Sequence, residues 1–362
     1  MPDDGHAYTE ARRHALRALL ASADLSALLV TKPVNVRYLT GFTGSYGALL
    51  LVHDRTLFFT DGRYRQQAAT EVPGAEVVLA SGDLIGAVGG VVRAGGNDLG
   101  FEPAGLSWGE GNRLRGGLPG QAVLPAPPLV EELREVKDER ELTCMREAAR
   151  LGGEALEGLL PSLREGVTER QVAVDLEVAM RRLGADGPAF DTIVAFGDQA
   201  AEPHHHPGDR PLEPGDWIKL DFGARVDGYC ADMTRTAVLG RASQRQRDLY
   251  ELVRGAQAAG LDCLRAGVPA GEVDRACRQP IAEAGLGDSF PHPSGHGIGL
   301  EVHEAPRLRA GSRDRIAAGS PVTVEPGIYL PGFGGVRIED LAVARPGGHE
   351  LLTNASKELL EL

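Results

Sequence analysis

The sequence predicts an α+β chain in two parts. A smaller α/β domain with a three-layer, mixed-sheet arrangement comes first. A larger part follows, made of two related α+β halves that face each other across a pseudo-two-fold axis. Three observations carry this. Residues 1–124 alternate helix-like and strand-like segments, the pattern of helices layered on a sheet. A proline-rich, charged stretch, LPAPPLVEELREVKD (124–138), then interrupts regular structure. Beyond it, LREGVTERQVAVDLEVAMRRLG (163–184) and LRAGVPAGEVDRACRQPIAEAG (264–285) match in one register at Leu, Arg, Gly, Val, a later Val and the terminal Gly. The limits expected are 1–124 for the first domain, 125–137 for the link and 138–362 for the second domain.

TEARRHALRALLAS (9–22) has helical periodicity, and SALLV (26–30) reads as a buried strand. YGALLLV and TLFFT, joined through His53-Asp54-Arg55, read as a hairpin. LIGAVGGVVRAG and WGEGNRLRG read as short helices beside the strands EVVLA and DLGFE. In the second part, Asp138 with Glu141 and Thr168 with Gln171 have capping-box spacing and mark two helix starts. Each copy of the repeat leads to a strand pair. The first pair is WIKLDFGARV and YCADMTRTAVL around the turn Asp227-Gly228. The second is PVTVEPGIYL and GVRIEDLAVA, with Gly332, Gly334 and Gly335 between the arms.

These strands carry acids where acids are disfavoured. Asp221 and Asp232 lie on the two arms of the first pair, and Glu325 and Glu339 on the two arms of the second. Glycine-rich SGHGIG adds His296. Four carboxylates and an imidazole make a hard, oxygen-rich set suited to divalent ions such as Mn²⁺, and a thiolate site would suit them less. Packed together, four carboxylates repel unless cations neutralise them, so the set asks for two metals. Two such metals lower the pKa of a bridging water, deliver hydroxide at neutral pH and polarise a scissile carbonyl. Ser294 lacks the strand-turn-helix setting of a nucleophile. Arg337, two residues before Glu339, is expected to pair with the ligand carboxylates. Tyr329 reads as a half-buried strand residue outside the site, and His205 and His206 as a solvated polar loop.

Composition sets bounds. Lys plus Arg is 38 and Asp plus Glu is 51, a net charge of 38 − 51 = −13 over 362 residues. That balance disfavours nucleic acid and anionic membrane as partners. No apolar run is long enough for a transmembrane helix, and no secretory signal is read at the start, so a cytoplasmic protein is expected. Cys144, Cys230, Cys263 and Cys277 lack CxxC spacing and read as reduced thiols.

The phrases LDFGARVDGYCADMTRT (220–236), HPSGHGIGLEVHE (292–304) and VEPGIYLPGFGGVRIED (324–340) resemble those of the pita-bread metallopeptidases, peptidase family M24. NVRYLTGFTGSYGALLLV and LFFTDGRYRQQA, within 35–68, resemble the smaller domain carried by aminopeptidase P, prolidase and creatinase. The resemblance implies a pita-bread domain behind a creatinase-type α/β domain. It implies a Xaa-Pro metallopeptidase with two divalent ions, Mn²⁺ first and Co²⁺ or Zn²⁺ as alternatives. Asp232 and Glu339 would bridge the ions, Asp221 would complete one, and His296 and Glu325 the other. Glu325 would also shuttle a proton to the leaving amine. His204 would contact substrate, and His292 and His303 would steady the substrate carbonyl and tetrahedral intermediate. Arg307 would bind the free carboxylate of a dipeptide, which favours a prolidase-like Xaa-Pro dipeptidase over an aminopeptidase P acting on longer peptides. A metal-free, creatinase-like or binding protein is the distant alternative. The partners implied are Xaa-Pro dipeptides or short proline-containing peptides, and a second copy of the chain in a homodimer.

Overall fold

Leu28, Leu29, Leu50, Phe58 and Phe59 are fully shielded from solvent, which the continuous apolar runs between 26 and 60 require of central strands. The computed structural model describes residues 5–53, 55–95 and 98–362. The chain divides into two compact units, Met1–Arg134 and Glu135–Leu362. The first runs α1 (Gly5–Ser22), β1 (Ala27–Val30), α2 (Pro33–Thr40), β2 (Ala48–Val52), β3 (Arg55–Thr60), α3 (Arg65–Glu71), β4 (Glu76–Leu79), α4 (Leu84–Gly95), β5 (Leu99–Phe101), α5 (Trp108–Gly117), β6 (Val123–Pro125) and α6 (Leu129–Glu135). Its sheet has the order β4-β3-β2-β1-β5-β6. The β1–β2 and β2–β3 pairings are antiparallel and the rest parallel, so the sheet is mixed. Leu84, Val88 and Val92 of α4 and Leu114 of α5 pack on Leu29, Leu50, Leu57 and Phe59. The expected hairpin is β2–β3, and Asp54 in its turn lies outside the described residues.

The link expected at 125–137 is not irregular, since α6 occupies most of it. Pro127 and Pro128 sit just ahead of that helix, where a missing N–H costs nothing. Leu129 and Val130 are buried, and Asn35 donates to Glu131 at 2.8 Å.

The second unit runs α7 (Glu139–Leu159), α8 (Glu169–Leu183), β7 (Gly187–Pro188), β8 (Ile193–Phe196), β9 (Trp217–Phe222), β10 (Ala224–Val226), β11 (Tyr229–Cys230), β12 (Met233–Val238), α9 (Gln244–Cys263), α10 (Ala270–Glu283), β13 (Gly295–Gly297), β14 (Glu304–Leu308), β15 (Pro321–Val324), β16 (Gly327–Leu330), β17 (Gly334–Arg337), β18 (Asp340–Arg345), β19 (Gly348–Leu351) and β20 (Leu360–Glu361). Both expected capping boxes are formed, at the starts of α7 and α8. The sheets have the orders β20-β12-β9-β8 and β14-β13-β15-β18-β19, with β11-β10-β7 and β16-β17 beside them. The α7–α8 pair covers the first through Leu156, Val172, Leu176, Ile218 and Leu220. The α9–α10 pair covers the second through Val253, Val273, Ile281, Val322 and Val324.

The repeat is real in the backbone. Gly166 donates to Leu212 O at 2.9 Å and Leu212 returns a bond to Val167 O at 2.8 Å. In the other half Gly267 donates to Ile316 O at 2.8 Å and Ile316 to Val268 O at 3.0 Å. The fold is thus a pita-bread domain preceded by a creatinase-type α/β domain. Among the described residues no helix is long and apolar enough to cross a membrane, and the four cysteines are unpaired.

Candidate active site

Each long acidic strand foreseen in the sequence is broken, and the breaks place the acids. β9 pairs with β12, and the same two chains continue beyond Gly223 and Ala231 as the β10–β11 hairpin. β15 pairs with β18 and continues beyond Glu325-Pro326 and Ile338-Glu339 as β16–β17. Asp221 lies in β9, whereas Asp232, Glu325 and Glu339 stand just outside strands that were expected to contain them. Pro326 has no N–H to give a ladder. A Cβ on Gly223 would lie 1.8 Å from Ala231 O, so the chains approach too closely there for a side chain. The first hairpin turns on Asp227 (φ 46°) and Gly228 (φ 78°), as its Asp-Gly signal demands. His296 sits in β13 between glycines, and a Cβ on Gly297 would lie 1.9 Å from Ala305 O.

The five residues converge. Donor atoms of Asp232, His296 and Glu339 all lie within 4.8 Å of one another. His296 Nε2 is 3.4 Å from Glu325 Oε1 and 3.7 Å from Asp232 Oδ2. His296 Nδ1 lies 3.0 Å from Gly297 O, which can only accept, so Nδ1 carries the proton. The Nε2 lone pair therefore points among carboxylates. Thr234 donates to Glu339 at 2.6 Å and Thr323 to Glu325 at 3.1 Å. Asp221 Oδ1, Asp232 Oδ1 and Glu339 Oε1 are buried with no hydrogen-bond partner among the described residues. Burial, then the neighbouring carboxylates, pushes Asp232 and Glu339 well above the usual carboxylate range. Burial raises Glu325 to about 7 and lowers His296. Orphaned anionic oxygens around an imidazole lone pair fit divalent cations and little else.

Arg337 is 4 % exposed. It pairs with Asp221 and donates to Thr234 at 2.9 Å and to Tyr329 Oη at 2.9 Å. Tyr329 Oη in turn lies 2.8 Å from His292 Nε2, and His292 Nδ1 lies 2.8 Å from Pro293 O. Since Pro293 O can only accept, the chain of donors runs Arg337, Tyr329, His292, Pro293. Tyr329 thus belongs to the site from which the sequence left it out. Both His292 nitrogens are engaged within the protein, so in this arrangement neither donates to a substrate oxygen. His303 differs: it is exposed at the cavity, its ring centroid is 4.3 Å from that of His296, and partial desolvation together with the His296 and Arg307 charges pulls it down to about 4. Burial pulls His292 to about 3.

One cavity of about 670 Å³ is lined by Asp221, Asp232, His296, Glu325 and Glu339 together with His204, His292, His303, Arg307 and Arg337. His204 and Arg307 are exposed at it, and Arg307 makes no ion pair among the described residues. His205 does not lie in a solvated loop. It is 7 % exposed and held between Glu202 and Glu169. Neither acid stands out in the sequence, the first lying in a polar loop and the second in a helix start. Ser294 is fully buried and donates to Asp274 at 2.9 Å, which removes it as a nucleophile.

A peptidase-like fold with a carboxylate-rich, cation-demanding cavity defines a metallopeptidase. The family description of metallopeptidase family M24 matches residues 143–346, and that of the creatinase/prolidase N-terminal domain matches 12–136. The chain belongs to metallopeptidase family M24. It is 33% identical to a Xaa-Pro dipeptidase of Pyrococcus horikoshii, over 93% of this chain and 95% of the relative. A solved Xaa-Pro dipeptidase from Bacillus anthracis is 39% identical, with a TM-score of 0.95 over 98% of this chain and 100% of that one. A solved X-Pro aminopeptidase from Thermotoga maritima is 34% identical, with a TM-score of 0.88 over 94% of this chain and 99% of that one. The chain is therefore an enzyme, a peptide-hydrolysing metallopeptidase using divalent metal.

Proposed function

We propose that the protein hydrolyses Xaa-Pro dipeptides with two divalent cations held by Asp221, Asp232, His296, Glu325 and Glu339. The observation that carries this is the cluster of unpartnered carboxylate oxygens beside one exposed arginine, on a cavity sized for a small ligand. Bound there, the cations would neutralise the acids, acidify water and polarise a carbonyl. An imidazole in the set favours Mn²⁺ or Co²⁺ over Mg²⁺.

The chain's own residues do the rest. Glu325, hydrogen-bonded by Thr323 at the edge of the ligand set, is placed to take a proton from water and return it to the leaving amine. His303, neutral and without a hydrogen-bond partner among the described residues, is the donor available to the substrate carbonyl. Arg337 fixes Asp221 and, through Tyr329, the orientation of His292. Arg307 offers a planar pair of donors to a carboxylate directly after proline. His204 lies beside Pro203 on the cavity wall.

The test compares a Xaa-Pro dipeptide with a Xaa-Pro-Xaa tripeptide on wild type and Arg307→Ala in the same metal. The dipeptide should lose about 1.5–3 kcal/mol in kcat/KM, the range for a hydrogen bond to a charged group. The tripeptide should lose much less. Equal losses, or a wild type that prefers the tripeptide, would turn the reading to an aminopeptidase P.

A further inference from the structure

His205 lines the cavity but has no part in that chemistry. The His205 ring stands between two carboxylates, with Nδ1 2.7 Å from Glu202 Oε2 and Nε2 2.9 Å from Glu169 Oε2. A neutral imidazole has one N–H and one lone pair, so one carboxylate would meet a lone pair. Both contacts attract only when both nitrogens hold protons.

Glu169 is fully buried in the first turn of α8. Its Oε1 accepts from Phe196 N at 2.8 Å and its Oε2 from Gly208 N at 2.9 Å. One carboxylate thus ties both ends of the segment 196–208. His205, three residues before the end of that segment, is tied to the same carboxylate. Pro203 and His204, which this clamp holds, line the cavity. On the other side Lys219 Nζ donates to Ala200 O at 3.1 Å and to Glu202 O, and Arg337 donates to Pro203 O at 3.3 Å.

We propose that His205, doubly protonated between Glu169 and Glu202, is a positioning residue that holds the Pro203–His204 wall against the cavity, and that loss of its proton loosens the wall and weakens substrate binding. The substrate part rests on the Xaa-Pro reading above. The titratable and charged groups facing the clamp are Glu169 on α8, Glu202 on the segment itself, Lys219 on β9, which burial lowers to about 6, Arg337 on β17, and Arg210, which is held by Asp216 at 2.6 Å. His204 and His206 are its neighbours in the chain. Burial works to lower the His205 pKa, but the bonds to Glu202 and Glu169 outweigh it and hold it above the ordinary value. A raised histidine pKa stabilises the clamp at low pH, and that stabilisation is lost as pH rises through the folded value.

The experiment has a direct arm on the Zn²⁺-loaded full chain and a kinetic arm on the Mn²⁺-loaded full chain. Imidazole ¹⁵N spectra, with His205 assigned by its absence from His205→Asn, should show both nitrogens protonated at neutral pH. Hydrogen exchange over 200–208 should be faster in His205→Asn than in wild type at one pH. On a Xaa-Pro dipeptide, wild-type KM should rise as pH passes the His205 pKa. His205→Asn should raise KM about 10-fold at low pH, flatten that rise and change kcat less. Glu202→Gln alters a side chain that is 65% exposed, so it should fold and move the KM limb to lower pH. A neutral His205 ring at neutral pH, unchanged exchange in His205→Asn, or a KM–pH profile unmoved by Glu202→Gln would each overturn the proposal. Failure of the substrate reading looks different: no Xaa-Pro dipeptide turns over, while the spectra and the exchange rates still judge the clamp.

Discussion

At the scale of single residues, charge without a partner is the theme. Asp232 and Glu339 hold their protons far above the carboxylate range because burial and the charge of the neighbouring carboxylates oppose ionisation. A carboxylate whose folded pKa is raised binds more protons folded than unfolded, so its contribution to stability falls as pH rises above about 4. Chelator-treated protein should therefore melt at progressively lower temperature from about pH 5 to about pH 8. Saturating Mn²⁺ should restore about 3–4 kcal/mol, and more at the upper end, since the ion binds the ionised acids. Calorimetry with and without chelator checks both signs, and a metal-free protein that grows more stable with pH would contradict them. Tyr329→Phe tests the donor chain: it removes the bond that anchors His292 Nε2, and kcat should fall about 10-fold with metal content unchanged by elemental analysis. The four acidic positions were legible in the sequence because charge in an apolar strand is conspicuous, and His296 because glycines frame it. Tyr329 and His205 were not. Each takes its meaning from a partner 37 or 36 positions away, and neither breaks a local pattern.

At the scale of elements, the expected strands were right in place and wrong in length. Apolar alternation shows where a strand begins, but not that Gly223 and Pro326 break two of them. Breaks of this kind leave Asp232, Glu325 and Glu339 at corners between strands, whereas Asp221 stays inside β9. The repeat was legible because its glycines recur, and the structure supplies the reason for two of them. Gly166 and Gly267 have φ of 86° and 85°, and a Cβ added to either would meet nothing within 4 Å. The cost of a side chain there is conformational only, so Gly166→Ala and Gly267→Ala should each destabilise by about 1–2 kcal/mol. Matching losses in denaturant midpoint are expected, and a loss in one alone would break the equivalence of the two turns.

At the scale of the whole molecule, Met1–Arg134 and Glu135–Leu362 each own a hydrophobic core. All the proposed ligands lie in the second. A scanning calorimeter should resolve two transitions, of which Mn²⁺ raises only the one belonging to the second unit. A single transition that shifts as a whole would show the two units unfolding as one. The pseudo-two-fold backbone has a further consequence. Asp221 and Asp232 come from one half, and His296, Glu325 and Glu339 from the other. On the proposed ligand set neither half would own a complete coordination shell, so a nascent chain would have no tight grip on the ion until residue 339 had been made and the halves had closed on each other. Metal capture is then a certificate of finished assembly: a half-made or misfolded chain stays chemically inert, and hydrolysis is switched on only once the architecture is whole.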